Sequence, residues 1–242
     1  MSTPITADLL VNGGALTLDE ATASTGVGSR GVSNDGREYR YVKAGAVALV
    51  PGYLQQSPAE ITNHEALTPT ATAAQGSNTL IATLGATAAT ANQYAGGLAL
   101  VCTTPDIGYV YRISGHAAVL SSGIITLTLD DLIRGADITT ASRITLYPNP
   151  YNGVVINPTT AASSPVVVAV TPVTALQYGW GQTTGAGCVI ADAGNSIVVG
   201  TNVCASNQTA GTVEPQTGVQ AAVGTLLTGT TTGIGALCKL FL

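Results

Sequence analysis

Few residues of this 242-residue chain could act as a general base or an activated nucleophile. Its two histidines are His64, in a Thr-Asn-His-Glu stretch typical of a turn, and His116, which follows a predicted strand. A Ser-His-Asp site needs a serine hydrogen-bonded to an oriented base, and the sequence lacks the G-x-S-x-G turn that presents such a serine. We therefore expect ordinary structural positions for both histidines, and we predict that the chain is not an enzyme.

Carboxylates are most concentrated at Asp106, Asp130, Asp131 and Asp137. Glycoside hydrolysis requires two carboxylates at a set separation across the sugar, and a calcium loop requires oxygen ligands at fixed offsets. The spacing of these residues meets neither requirement. We predict that they are turn residues on a solvated rim, with no metal bound.

One glycine motif resembles a nucleotide-binding fingerprint. Residues 26–31 read GVGSRG, which matches G-x-G-x-x-G. That fingerprint works only between a strand and a helix, because the helix N-terminus binds the pyrophosphate. Here a Thr-rich stretch precedes the motif and a turn with a strand follows it, so we predict no bound cofactor.

The four cysteines are Cys102, Cys188, Cys204 and Cys238. None belongs to a C-x-x-C pair, which disfavours a zinc site. We interpret them as small buried hydrophobic residues. A disulfide among the last three stays open, because sequence cannot give connectivity.

Charge is scarce and unevenly distributed. Charged residues make up 9% of the chain, against about 25% in an average soluble protein. Eight basic residues and a net charge of −5 exclude a strong nucleic-acid footprint, and no polybasic stretch suggests an anionic membrane. Residues 144–238 contain two charged side chains, Asp192 and Glu214. Such a stretch must be solvated by neutral polar groups or covered by partners.

Half of the basic residues fall within residues 30–43. We predict that this cluster contacts an acidic partner surface. Tyrosine and tryptophan are enriched at interfaces because they combine apolar area with a hydrogen-bonding group. The candidate contact residues are Arg30, Arg37, Arg40, Lys43, Tyr151 and Trp180.

The elements that must position these residues are predicted to be β-strands. Tyr39 and Tyr41 share one strand face and Arg40 lies on the other, and Leu80, Ile125 and Ile144 begin similar period-2 patterns. For Tyr39, Tyr41, Tyr109 and Tyr111, core and interface positions remain equal alternatives. Residues 68–76, rich in Thr and Ala, suggest a linker. The pattern predicts an all-β sandwich or barrel.

Several short segments occur in a particular order over most of residues 30–242. In chain order they are DGREYRYVK at 35–43, GATAATANQYAGG at 85–97, NPYNGVV at 149–155, YGW at 178–180, CVIAD at 188–192, VVG at 198–200, AGTVE at 210–214, VGT at 223–225 and LFL at 240–242. In their order and spacing these segments resemble a family of tailed-bacteriophage capsid decoration proteins, also called cement proteins.

The resemblance implies a small β-barrel domain formed by residues 30–65 and 148–242, with a second β domain, residues 66–147, inserted in it. Residues 1–29, with their Gly-Gly pair and Thr/Ser/Gly run, read independently as an N-terminal arm. The family supplies no catalytic or ligand residues, and the sparse charge of the C-terminal half departs from its pattern.

The implied function is that of a structural virion protein on the outer capsid surface, made in the host bacterial cytoplasm. The N-terminus lacks the basic and hydrophobic regions of a signal peptide. Its partners would be the major capsid protein and two further copies of itself in a homotrimer, with no nucleic acid and no membrane. The alternative is a tail or fibre protein that binds a host-surface glycan.

Overall fold

The computed structural model describes residues 9–160, 162–194, 196–229 and 233–242. The chain forms two compact units. The first contains the described residues up to Pro58 together with Pro150–Leu242, and the second is Ala59–Asn149. The predicted insertion began at residue 66, whereas the second unit begins at Ala59. His64 belongs to it because its carbonyl accepts a hydrogen bond from Leu146 N, and the next pairing along the chain joins Leu67 to Ile144.

Nearly all of the regular structure is β. The first unit begins with β1 (Leu9–Leu10), α1 (Gly13–Leu16), β2 (Arg30–Val32), β3 (Glu38–Ala44) and β4 (Leu54–Gln56). The second unit contains β5 (Thr68–Pro69), β6 (Thr79–Thr83), β7 (Leu98–Val101), β8 (Val110–Gly115), β9 (Ile124–Leu129) and β10 (Ile144–Tyr147). The first unit resumes with β11 (Asn152–Ile156), β12 (Pro165–Ala169), β13 (Tyr178–Ile190), β14 (Asn202–Ala205), β15 (Val213–Pro215), β16 (Ala222–Leu226) and β17 (Gly235–Phe241).

A closed five-stranded barrel lies at the centre of the first unit. Its strands follow the order β3-β11-β4-β12-β13, and β13 pairs back with β3 to complete the ring. The long strand β13 then leaves the barrel, and its second half pairs with β17, which continues to β16, β14 and β15. The all-β barrel prediction is confirmed.

The second unit is a six-stranded sheet in the order β10-β7-β8-β9-β6-β5. A bridge between Leu67 and Ile144 joins its two ends. Strand β9 shows why the sequence folds this way, because Ile125, Leu127 and Leu129 are buried while the alternate residues are exposed. The period-2 pattern predicted for this block is confirmed.

The segments predicted to be an arm and a linker are both packed against their own unit. In the arm predicted over residues 1–29, Val11 and Leu16 are buried against Tyr39, Tyr41 and Trp180, and β1 pairs with β2. The arm prediction is therefore wrong for residues 9–29, while residues 1–8 lie outside the described part.

The predicted linker at residues 68–76 is also wrong. It contains β5, and Ala73 is buried in a bridge with Ile138. The segment lies along the sheet with Pro69 and Ala73 buried, while its threonines are exposed.

Candidate functional site

The two histidines lie on either side of one buried tyrosine in the second unit. Each imidazole centroid is 5.7 Å from the Tyr94 ring centroid, and His64 Nδ1 is hydrogen-bonded to the Tyr94 hydroxyl. His64 Nε2 donates to Thr87 O at 2.8 Å, and His116 Nε2 accepts from the Tyr94 backbone N–H at 3.1 Å. These bonds fix the loops that carry the two rings, and sequence spacing gave no sign that the two histidines meet.

The acidic residues of the second unit hold local structure. Asp106 is buried, and its carboxylate accepts from the Tyr111 hydroxyl at 2.6 Å and from Ala136 N at 2.9 Å. The rim prediction is therefore wrong for Asp106. Asp130 and Asp131 are partly exposed and pair with arginines. Within the described ranges, no group of three or more His, Cys, Asp or Glu residues could hold a metal ion.

The cysteines are all free thiols. Cys204 and Cys238 are buried as predicted, whereas Cys102 is half-buried and Cys188 is exposed. Burial raises the pKa of the Cys238 thiol to about 12. Burial, and then the nearby Glu214 charge, raise the pKa of the Cys204 thiol.

Two of the candidate basic residues are neutralised within their own hairpin. Arg30 forms a forked pair with Glu38, with Nη2 2.6 Å from Oε1 and Nε 3.2 Å from Oε2. Arg37 Nε lies 2.8 Å from Asp35 Oδ2. The hydrogen bond from Arg30 lowers the pKa of Glu38, and bonding from Ser33 and then Arg37 lowers that of Asp35.

The other two basic residues lie over tyrosine rings. Arg40 is 5.5 Å from the centroid of Tyr151 and donates to Gly28 O at 3.0 Å, and Lys43 is 5.3 Å from the centroid of Tyr178. Among the described residues, Arg40 and Lys43 form no ion pair. Their charges therefore remain available to a partner. The two side chains project from opposite faces of β3, so we name them as two cation–tyrosine pairs, Arg40–Tyr151 and Lys43–Tyr178.

Trp180 is not on the surface of this protomer. It is 5% exposed and packs edge-on against Tyr41, with ring centroids 5.2 Å apart. Its candidate contact role is therefore corrected to a core role. Tyr39, Tyr41 and Tyr111 are likewise fully buried, and of the four alternating tyrosines only Tyr109 is exposed.

An exposed apolar surface covers the extended half of the first unit. Leu237 and Phe241 point outward from β17 and are 42% and 48% exposed. Exposed Cys188 of β13 is paired with Leu237 in the register of β13 and β17. On the other side of β17, Leu226 of β16 is paired with the buried Cys238, and Leu227 is the next residue along the chain. Leu227, 45% exposed, therefore lies beside Leu237. We name these four residues, together with Ile190, the outer apolar face.

The outer apolar face carries one charged side chain, Lys239, between Leu237 and Phe241. The low charge of residues 144–238 was the sequence feature that indicated this face, but it did not identify which side of which strand would be exposed.

No helix in the described part of the chain is long and apolar enough to cross a bilayer. No known protein family, curated protein or solved structure matches this chain.

Proposed function

We propose that this chain is a structural virion protein of a tailed bacteriophage that decorates and stabilises the outer capsid. The observation that carries the proposal is the outer apolar face. Apolar side chains on adjacent strands of a well-ordered sheet mark a surface that is covered in an assembly. The family resemblance of the sequence gives the kind of assembly.

The physical argument is the free energy gained when this face is covered. Burying one leucine or phenylalanine side chain contributes about 1.5–3 kcal/mol relative to leaving it in water. Leu227, Leu237 and Phe241 are each almost half exposed. Because each side chain is already about half buried, a partner that covers all three would gain roughly half of that free energy per side chain, with Lys239 and the neighbouring threonines as a polar rim.

The two cation–tyrosine pairs supply further, orienting contacts. Arg40 and Lys43 form no ion pair among the described residues, in a protein of net charge −5. Charged groups at an interface affect orientation and association rate more than affinity. We propose that these two cations face acidic groups of the major capsid protein, and that three copies of this chain form a homotrimer.

The proposal is tested by mixing purified protein with undecorated capsids and measuring co-sedimentation and the capsid rupture temperature. We expect co-sedimentation and a higher rupture temperature. Leu237→Glu should abolish both effects, because it places a charge in the covered face. The matched control is Leu120→Glu, since Leu120 is 82% exposed in the second unit.

Absence of co-sedimentation by the wild-type protein would overturn the proposal, as would full binding by Leu237→Glu. The alternative, a tail or fibre protein that binds a host glycan, predicts binding to a glycan array.

A further inference from the structure

Both charged residues of the stretch 144–238 lie at a single cavity. Asp192 and Glu214 line an open cavity of about 660 Å³ in the first unit. The other polar lining residues are Asn207, Gln208, Thr209 and Thr217. Since this part of the chain is otherwise uncharged, the pairing of its two carboxylates at one cavity needs a physical reason.

The backbone directs both carboxylates to the same side. Ala191 and Val213 form a parallel bridge, and Asp192 N donates to Val213 O at 2.9 Å. The side chains of Ala191 and Val213 belong to the hydrophobic core. Because side chains alternate along extended chain, the next residue of each segment projects away from that core. Asp192 and Glu214 therefore leave neighbouring backbones towards the cavity.

Both acidic residues are more than nine-tenths buried, with 1% exposure for Asp192 and 8% for Glu214. Asp192 Oδ1 accepts hydrogen bonds from Ala193 N at 2.6 Å and from Thr209 Oγ1 at 2.7 Å. Within the described part of the chain, the Glu214 carboxylate has no hydrogen bond or ion pair. A carboxylate that no protein donor meets can bind a cation that enters the open cavity.

We propose that this cavity is a Ca²⁺ site, in which Glu214 and Asp192 supply the charged ligands. Calcium binds six to eight oxygen atoms in flexible geometry, drawn from carboxylates, amide oxygens and water. The lining side chains offer carboxylate, amide and hydroxyl oxygens, with no imidazole or thiol among them. This donor set favours calcium over zinc. The site does not depend on the capsid-decoration proposal.

The test is calcium titration of chelator-treated protein, followed by calorimetry and thermal unfolding. We expect one site per chain and a rise in the midpoint temperature. Glu214→Gln should weaken calcium binding by at least about tenfold, because it removes one of two ligand charges. Asp131→Asn, an exposed carboxylate of the second unit, is the matched control and should bind as wild type does.

Thermal unfolding in chelator separates lost binding from lost folding. There, Glu214→Gln should unfold no earlier than wild type, because the substitution removes a buried charge, and calcium should no longer stabilise it. If Glu214→Gln does not fold, Glu214→Asp keeps the charge but shortens its reach, and it should bind more weakly. Failure of the wild type to bind calcium at millimolar concentration would overturn the proposal, as would unchanged binding by either variant.

Discussion

At some positions the side chains of this protein are packed so closely that only glycine fits. Gly31 on β2 is the sharpest case, because a Cβ built there would lie 2.2 Å from Val11 Cγ2 and 2.8 Å from Trp180 Cζ3. Only a residue without a side chain lets Val11 and the Trp180 ring meet over this strand. The N-terminal segment therefore stays attached by packing that depends on one glycine.

We predict that Gly31→Ala lowers the free energy of unfolding by about 1–3 kcal/mol, the usual cost of overpacking. Gly13→Ala is the control, since nothing lies within 4 Å of a Cβ at Gly13. It should leave stability unchanged or slightly higher, because alanine favours helix over glycine. Urea denaturation followed by tryptophan fluorescence measures both. Equal stability of Gly31→Ala and wild type would contradict the packing described for Val11 and Trp180.

The rate at which each cysteine reacts with a maleimide measures its burial, and the rate for Cys188 also tests the proposed assembly contact. We predict that a maleimide labels Cys188 first in the free protein, while Cys204 and Cys238 stay unmodified because burial raises the pKa of both thiols. Since Cys188 belongs to the outer apolar face, it should become protected on decorated capsids. Peptide mass spectrometry before and after assembly checks this. Labelling of Cys188 at an undiminished rate on the particle would rule out this face as the contact.

At the scale of elements, alternation in the sequence predicted β6, β9 and β10 of the second unit and the shared face of Tyr39 and Tyr41 on β3. Long-range pairing could not be predicted. The closure of the barrel by β13 and β3, and the meeting of His64, Tyr94 and His116, join residues far apart in the sequence. The outer apolar face was predictable only as a region of low charge. Which side chains are exposed on it depends on the register of β13 with β17.

The segment between α1 and β3 is held by an ionised carboxylate. Glu20 accepts hydrogen bonds from the Tyr41 hydroxyl and from Ser24 Oγ, and these bonds, Tyr41's first, lower its pKa below the usual 4.5. Because the folded pKa is lowered, the stabilisation is fully present above pH 4.5 and is lost as the pH falls through the lowered value.

We predict that Glu20→Gln lowers the midpoint temperature at neutral pH and that its difference from wild type shrinks as the pH drops below 4.5. Thermal unfolding followed by circular dichroism across this range measures the difference. Asp19→Asn is a neighbouring control that removes the charge of a carboxylate bonded to Thr174 instead. A constant difference between Glu20→Gln and wild type at all pH values would show that the carboxylate charge has no part in this contact.

At the scale of the whole molecule, the two units offer different surfaces. The first unit combines a closed barrel, the two cation–tyrosine pairs and a sheet extension with the outer apolar face. The second unit has its own core, carries the partly exposed ion pairs Arg112–Asp130 and Arg134–Asp131, and exposes Leu100 and Val110 on paired strands. The proposed capsid contacts are those of the first unit.

The most direct test is a cryo-electron microscopy map of the intact virion that incorporates this chain. The account predicts density for both units on the outer capsid shell, with Leu237 and Phe241 of β17 buried against the major capsid protein or another copy of the chain. Density confined to the tail, or a capsid-bound copy whose outer apolar face is open to solvent, would contradict it.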